Sequence, residues 1–145
     1  MENVIVLAGL TRKRAETAGE IARCAFESLG LKYRSVLESL RKLTGRVLGT
    51  IRVVGGGGLN AVLCQMTADA CGCQVVSGPS EAASLGNVML QAVATGALPD
   101  VAAGRASIGK SLECISYAPH PGDGWSAAQA RYRVLEAASQ APQKE

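Results

Sequence analysis

The sequence predicts an α/β fold of one domain, in which a short parallel sheet packs against helices over residues 1–145. The prediction rests on two observations. A long segment repeats apolar residues every three or four positions, as one face of a helix does. After it, two short valine-rich runs each lead through glycine into a further helical segment. Strands that alternate with helices pair in parallel, because each helix returns the chain across the sheet.

The first third of the chain predicts a strand and one long helix. Val4–Ala8 is a β-like apolar run that ends at Gly9. Thr17 and Glu20 then form a capping box, which starts a helix that can end at Gly45 and is interrupted at most near Gly30. The apolar face of this helix consists of Ile21, Ala25, Phe26, Leu29, Tyr33, Val36, Leu37, Leu40 and Leu43.

The middle third predicts two strands and two helices. Ile51–Val54 is a β-branched run that enters four consecutive glycines and a second helix, which Gly72 terminates. Cys73–Val76 is the second strand, and Ser80 is a suitable N-cap for a third helix that reaches Gly96.

The last third shows less order. Residues 97–124 have no sustained period and are interrupted by prolines and glycines, so we expect mainly an irregular connection, with Leu112–Pro119 more strand-like than helical. Ser126–Ala138 predicts a closing helix, and residues 140–145 form a polar tail.

Composition argues against nucleic-acid and membrane partners. The net charge is only +3, aromatic residues make up 3% of the chain, and the densest basic run is Arg12–Arg14. No run approaches the roughly 20 apolar residues of a membrane span. The apolar segment Asn3–Leu10 follows an acidic residue and precedes the basic run, which is the reverse of a signal peptide. We therefore expect a cytoplasmic protein.

The cysteines predict no metal site. Cys71 and Cys73 form a C-x-C pair, but His120 is the one histidine and no second cysteine pair exists. A zinc site needs about four ligands in tetrahedral reach. Small buried thiols in a reducing cytoplasm are the simpler interpretation of all five cysteines.

A phosphate-binding pattern occurs at Gly104–Ser111, where GRASIGKS matches G-x-x-x-x-G-K-[ST]. That motif works when a buried strand delivers the glycines to a helix N-terminus. The preceding segment contains Pro99 and no β-branched run, and the following segment is stopped by Pro119. Both flanks are therefore wrong, and the match is interpreted as coincidental.

A second pattern, G-x-G-x-x-A, occurs at Gly56, Gly58 and Ala61 between a strand and a helix, as in dinucleotide-binding folds. Those folds place an acidic residue at the end of the next strand, whereas the first carboxylate here is Glu81, at the following helix. A dinucleotide-binding piece of an oxidoreductase remains an alternative.

A third interpretation concerns the glycines themselves. Glycines let a ligand approach the backbone, since no Cβ intervenes. The amides at this turn would favour an anion, and Asn60 offers amide groups to a base or a sugar. Equally, the glycines could serve only a tight turn and close contact between helix and sheet.

Three ordered segments resemble the C-terminal domain of the FGGY carbohydrate kinases. They are RVVGGGGLN at Arg52–Asn60, QMTADACG at Gln65–Gly72 and EAASLGN at Glu81–Asn87. The resemblance covers roughly Glu16 to Tyr132. It implies an actin-like, ribonuclease-H-like ATPase fold that transfers the γ-phosphoryl group of ATP, with Mg²⁺ held mainly through the nucleotide, to a sugar hydroxyl.

The resemblance also implies site residues. The glycine loop would lie along the nucleotide, and Asn60 would lie near the adenine or ribose. Two residues of the third helix would begin the other wall of the adenine pocket, and Asp69 would have a structural role and not that of the catalytic base. The nucleotide-binding residues implied are Gly55, Gly56, Gly57, Gly58, Asn60, Gly86 and Asn87.

Members of that family are considerably longer, with a sugar-binding domain and a catalytic aspartate upstream. We therefore expect this chain to be a C-terminal segment that contributes no catalytic or metal-binding residue and is inactive alone. A non-catalytic oligomerisation or nucleotide-binding module is the remaining alternative. Because so short a sheet leaves an edge and apolar surface exposed, we also expect a homo-oligomer.

Overall fold

The computed structural model describes residues 15–111, 113–122 and 124–140, and the predicted strand Val4–Ala8 lies outside these ranges. The described residues form an α/β arrangement of helices around a short three-stranded sheet. In chain order its elements are α1 (Ala18–Thr44), β1 (Thr50–Val53), a single 3-10 turn (Gly56–Leu59), α2 (Ala61–Cys71), β2 (Gln74–Ser77), α3 (Ala82–Ala94), α4 (Val101–Ser111), β3 (Ile115–Tyr117) and α5 (Gly124–Gln140).

The long helix α1 is confirmed, with both of its predicted ends. The Thr17 hydroxyl accepts a hydrogen bond from the Glu20 amide at 3.2 Å, and the Glu20 carboxylate accepts one from the Thr17 amide at 3.1 Å. Gly45 ends the helix with a φ of 64°, in the left-handed region. Gly30 does not interrupt the helix. It is buried where α1 crosses α2, and a Cβ there would lie 3.2 Å from the Met66 carbonyl oxygen.

The sheet is parallel only in part. β1 and β2 are parallel neighbours, with Ile51 opposite Val75, as the alternation of strands and helices predicts. β3 joins the other side of β2 in antiparallel orientation, with Tyr117 opposite Val75. The predicted parallel pairing therefore holds for β1 and β2 and does not extend to β3, which follows α4 in the chain and pairs with β2 in the opposite direction.

The expectation of an irregular connection over residues 97–124 is also wrong, since α4 and β3 occupy much of it. The Asp100 carboxylate accepts a hydrogen bond from the Ala103 amide at 2.7 Å and so caps the start of α4. Gly104 then lies directly against Met89 of α3. Packing between the two helices thus stabilises a glycine-containing segment whose own helix propensity is weak.

Smaller differences concern helix ends. The residue before α3 is Glu81 and not Ser80, and it makes no capping hydrogen bond through its side chain. The closing helix α5 begins at Gly124, earlier than predicted, and its last residue is Gln140, which we assigned to the tail. Among the described residues, no helix has the length and apolar character needed to cross a bilayer.

The core is built around α2. One cluster joins α2 to α1 and α5 through Leu31, Ala70, Trp125 and Ala128. A second packs Leu37 of α1 against Cys71 at the end of α2 and Cys73 just before β2, and a third places Cys64, Ala68 and Val75 between α2 and the strands. Four of the five cysteines are buried and Cys114 is exposed, which agrees with the prediction of buried thiols for all but Cys114.

Candidate functional site

The candidate site is the glycine turn (Gly55–Gly58), which follows β1 and leads into α2. The turn is fixed to the segment after β2 by two backbone hydrogen bonds. The Gly78 amide donates to the Val53 carbonyl oxygen at 2.7 Å, and the Gly55 amide donates to the Pro79 carbonyl oxygen at 3.1 Å. The carboxyl ends of the two parallel strands therefore meet at this turn, which is where open α/β sheets bind ligands.

Two of the four glycines are required by the fold itself. Gly55 has a φ of 76°, a backbone angle that residues other than glycine adopt only with strain. Gly58 is buried, and a Cβ there would lie 3.0 Å from the Val53 carbonyl oxygen and 3.3 Å from that of Gly78. The interpretation that glycines serve a tight turn and close packing is thus correct for Gly55 and Gly58.

At the other two positions, neither backbone conformation nor packing requires a glycine. Both Gly56 and Gly57 are exposed. A Cβ on Gly56 would meet nothing within 4 Å, and one on Gly57 would make only an ordinary contact, 3.6 Å from a methyl group of Val53. Their amides lie between that of Gly55, which donates to the Pro79 carbonyl oxygen, and that of Gly58, which donates to the Gly55 carbonyl oxygen. At these two positions a ligand could approach the backbone closely.

Asn60 is the N-cap of α2. Its side-chain oxygen accepts a hydrogen bond from the Leu63 amide at 3.0 Å, and its backbone carbonyl accepts one from the Cys64 amide. The carbonyl half of the side-chain amide is therefore engaged in holding the helix end. Asn60 is half-buried, so its NH₂ group is the part of the side chain left for an external acceptor.

Gly86 and Asn87 lie in the first half of α3, just beyond the segment that bonds to the glycine turn. Asn87 is exposed, and a Cβ on Gly86 would meet nothing within 4 Å. A glycine inside a helix costs about 1 kcal/mol relative to alanine. Packing therefore does not explain Gly86, just as it does not explain Gly56.

Asp69 has a structural role, as the resemblance implies. One of its carboxylate oxygens accepts hydrogen bonds from the Gln65 side chain at 2.9 Å and from the His120 amide at 2.8 Å. The Gln65 side chain also donates to the Ala118 carbonyl oxygen at 2.8 Å. Asp69 and Gln65 thus hold the segment after β3 against α2, a pairing across about fifty positions of sequence that no local pattern indicates.

A cavity of about 240 Å³ lies at the other end of α2 from the glycine turn. The eleven residues of α2 separate the two places by about 16 Å. Asp69, Gly72, His120 and Trp125 are among the residues that line the cavity, together with Arg34. None of the predicted nucleotide-binding residues belongs to its wall.

The pattern GRASIGKS does not form a phosphate-binding loop, because all its residues lie within α4. A Cβ on Gly104 would clash with the Met89 side chain, so this glycine serves helix packing. A helical backbone agrees with the interpretation of the match as coincidental, although the reason is a helix and not the irregular flanks expected from the sequence.

Three of the buried thiols have raised pKa values, as expected for cysteines packed in a core. Burial raises the pKa of the Cys71 thiol to about 12, and it also raises the pKa of Cys64 and Cys73. These thiols stay protonated at neutral pH, whereas metal binding requires the thiolate. In the part of the chain that the structure describes, no three residues among His, Cys, Asp and Glu cluster closely enough to hold a metal ion.

Comparison with known proteins identifies close relatives. The profile of the "FGGY family of carbohydrate kinases, C-terminal domain" matches residues 3–95. A rhamnulokinase of Bacteroides thetaiotaomicron is 48% identical over 118 residues, which cover 81% of this chain and 24% of the relative. For rhamnulokinases of Enterococcus faecalis and Yersinia pestis the identities are 43% and 37%, over 83% and 82% of this chain and 24% of each relative. The chain thus spans about a quarter of the length of the curated relatives it matches.

Proposed function

Since the chain belongs to the FGGY family of carbohydrate kinases, whose C-terminal domain has the actin-like, ribonuclease-H-like ATPase fold, we propose that it forms one wall of the ATP site of a rhamnulokinase-like sugar kinase. The observation that carries the proposal is the contrast within the glycine turn. Gly55 and Gly58 are explained by backbone conformation and packing, whereas Gly56 and Gly57 are exposed and have free space where a side chain would be. A nucleotide that lies along the backbone accounts for that space.

Each residue of the wall has a separate task in this proposal. Gly56 and Gly57 let the nucleotide contact the backbone of the turn, and the NH₂ group of Asn60 donates to the adenine or ribose. Gly86 and Asn87 form the opposite wall of the adenine pocket. The hydrogen bonds that tie the turn to Gly78 and Pro79 hold the strand end and the segment after β2 in fixed relation, so that the wall formed by the glycine turn is in place before the ligand arrives.

The chemistry of such a kinase is supplied by ATP, which donates its γ-phosphoryl group to a sugar hydroxyl. No carboxylate lies in the glycine turn or the first turn of α2. We therefore assign the turn to binding and orientation, and we assign Mg²⁺ to the phosphates of the nucleotide. Phosphoryl transfer also needs a group that orients the sugar hydroxyl, so the 145-residue chain by itself should bind ATP without phosphorylating a sugar. The proposed place of action is the cytoplasm.

Calorimetric titration of the purified chain with Mg–ATP tests the proposal. Gly56→Val adds a branched side chain in the free space beside the turn, and we expect the affinity to fall tenfold or more, which corresponds to about 1.4 kcal/mol. Lys110→Ala, in the coincidental motif, is the matched control and should change the affinity by no more than about twofold. Circular dichroism of each variant verifies that the helices remain.

Other outcomes contradict the proposal in distinguishable ways. Binding of NAD in preference to ATP would support the dinucleotide-binding alternative, and binding of neither would leave a non-catalytic module. A loss of ATP binding on Lys110→Ala would indicate that the nucleotide binds at α4 and not at the glycine turn. Sugar-dependent release of ADP by the chain alone would refute its inactivity while leaving the position of the nucleotide intact.

A further inference from the structure

The cavity at the C-terminal end of α2 is lined by polar and charged side chains from three helices and one loop. Arg34 belongs to α1, Asp69 to α2, Trp125 and Ser126 to α5, and His120 to the segment after β3. Its volume of about 240 Å³ lies just below the roughly 300–1,000 Å³ of pockets for drug-sized ligands. The cavity therefore has the size of a site for a small metabolite.

Asp69 uses only one of its two carboxylate oxygens within the protein. Oδ1 accepts hydrogen bonds from the Gln65 side chain at 2.9 Å and from the His120 amide at 2.8 Å, and the His120 ring nitrogen Nδ1 lies 3.3 Å from the same atom. Among the described residues, no hydrogen bond or ion pair is made to Oδ2. The Asp69 side chain is 16% exposed, so Oδ2 is left to accept a hydrogen bond from a ligand.

The hydrogen bonds of Gln65 assign the tautomer of neutral His120. The NH₂ group of Gln65 has two hydrogens, and three acceptors surround it, which are Asp69 Oδ1 at 2.9 Å, the Ala118 carbonyl oxygen at 2.8 Å and His120 Nδ1 at 3.0 Å. Because the two oxygens take both hydrogens, we assign the imidazole proton to Nδ1, where it faces Asp69 Oδ1. The second ring nitrogen, Nε2, is then an acceptor on an exposed side chain.

Arg34 contributes hydrogen-bond donors to the cavity. Its Nε donates to the Glu38 carboxylate at 3.1 Å, which leaves both terminal NH₂ groups of the guanidinium for other acceptors. The Arg34 side chain is 25% exposed, and its ion pair with Glu38 offsets part of its positive charge. The wall thus combines donors on Arg34 with acceptors on Asp69 and His120.

The charges of the wall select a neutral ligand. An anion would meet the Asp69 carboxylate and the partial negative charge at the C-terminus of α2, whereas a cation would meet the guanidinium of Arg34. A hydroxyl group can both donate and accept, so several hydroxyls on one small molecule satisfy this mixture of groups without a net charge. Gly72 and Gly122 line the same cavity, and a Cβ on either would meet nothing within 4 Å, so the ligand can also contact backbone there.

From this we propose that the cavity is a binding site for a small neutral polyol of monosaccharide size. Asp69 Oδ2 and His120 Nε2 accept hydrogen bonds from its hydroxyl groups, and the terminal NH₂ groups of Arg34 donate to one of them. The cavity and the glycine turn lie at opposite ends of α2, about 16 Å apart, so the polyol site does not depend on nucleotide binding at the turn.

Fluorescence titration of the purified chain tests the proposal, since Trp125 lines the cavity and is the one tryptophan of the chain. The probes are glycerol, D-glucose, D-fructose and L-rhamnose, with inorganic phosphate as the anionic control. We expect a saturable change for at least one monosaccharide, with half-saturation at about 1–10 mM for so open a site, and none for phosphate. Saturation-transfer difference NMR of the same mixtures detects binding independently of the tryptophan.

Arg34→Gln and Arg133→Gln form a matched pair. Each removes one ion pair with Glu38, but only Arg34 lines the cavity. Sugar affinity should fall about tenfold or more for Arg34→Gln and change by no more than about twofold for Arg133→Gln. Asp69→Asn keeps an oxygen for the Gln65 and His120 donors and places an NH₂ group where Oδ2 was, so it should also weaken binding about tenfold while circular dichroism is unchanged.

Four results would overturn the polyol site. The first is the absence of saturable binding by either method for every sugar up to about 50 mM. The second is an equal loss of affinity for Arg34→Gln and Arg133→Gln, and the third is saturation by phosphate in place of sugar. Loss of sugar binding on Gly56→Val, with Arg34→Gln unaffected, would place the sugar at the glycine turn and equally refute the cavity as its site.

Discussion

Gly58→Ala should destabilise the protein, whereas Gly56→Ala, two positions earlier in the same turn, should not. The added methyl group at position 58 would lie 3.0 Å from the Val53 carbonyl oxygen and 3.3 Å from that of Gly78. Both neighbours are backbone atoms, and a hydrogen bond of 2.7 Å joins Val53 to Gly78. Neither can rotate away as a side chain could, so β1 and the segment after β2 must separate.

The magnitude follows from two opposing effects. Replacing a glycine by alanine where the backbone tolerates it stabilises by about 0.4–1 kcal/mol, since the unfolded chain loses freedom. Forcing an extra methyl group into packed structure costs about 1–3 kcal/mol. We therefore expect a net loss of about 1–2 kcal/mol for Gly58→Ala. At Gly56 a Cβ meets nothing within 4 Å, so only the first effect remains and the change should be neutral or slightly stabilising.

Urea denaturation followed by Trp125 fluorescence measures the difference, since this tryptophan is 8% exposed and is the one tryptophan of the chain. Both variants and the parent are compared at one protein concentration, since any self-association would make the midpoint depend on it. A Gly58→Ala protein as stable as the parent would refute the argument that packing requires this glycine. A Gly56→Ala protein that loses more than about 1 kcal/mol would show that the space at Gly56 has a structural use, contrary to the reasoning from distances.

Two further predictions concern the surface of the domain. Asp69→Ala removes the acceptor of the His120 amide and should cost about 1–2 kcal/mol in urea denaturation, whereas Asp69→Asn keeps an acceptor oxygen and should cost less than half as much; equal losses would contradict the assigned role. Burial acts to raise the pKa of Glu38, but Arg133 and Arg34 outweigh it and hold the pKa below the ordinary 4.5. The stabilisation by ionised Glu38 is therefore present above that pH and is lost as the pH falls below it. Glu38→Gln should accordingly reduce the loss of stability between about pH 5 and 3 by less than about 1 kcal/mol, and an unchanged acid profile would show that the ion pairs contribute nothing.

The elements predicted correctly from the sequence are those that local chemistry determines. The capping box at Thr17 and Glu20 and the terminating glycines Gly45 and Gly72 act within a few residues. Both ends of α1 and the C-terminal end of α2 therefore follow from the sequence alone. By contrast, α4 depends on contact between Gly104 and Met89, which lie in different helices. From the local sequence, the glycines of this segment predict a turn. The segment is helical because it packs against α3, which the local sequence does not indicate.

The glycine turn shows a different limit of sequence reasoning. Its position after β1 and before α2 could be predicted, because a β-branched run precedes it and an apolar helical face follows. The four glycines are chemically identical, however. The sequence does not distinguish a glycine that is needed for its positive φ from one that leaves room for a ligand beside the backbone. Backbone angles and neighbour distances separate Gly55 and Gly58 from Gly56 and Gly57. The assignment of all seven residues to a nucleotide stays a prediction, for Gly55 and Gly58 as for Gly56, Gly57, Asn60, Gly86 and Asn87.

None of the thirteen residues of α3 is buried, and its main contact is with α4. Few buried apolar contacts mean a low free energy of local opening, so α3 and α4 should exchange their amide hydrogens well before α2 does. One proposed wall of the nucleotide pocket therefore belongs to the least protected part of the fold. Part of the binding free energy would be used to order this helix pair. The nucleotide affinity of the isolated chain would therefore depend on the free energy of ordering α3 and α4 as well as on the contacts made with the nucleotide.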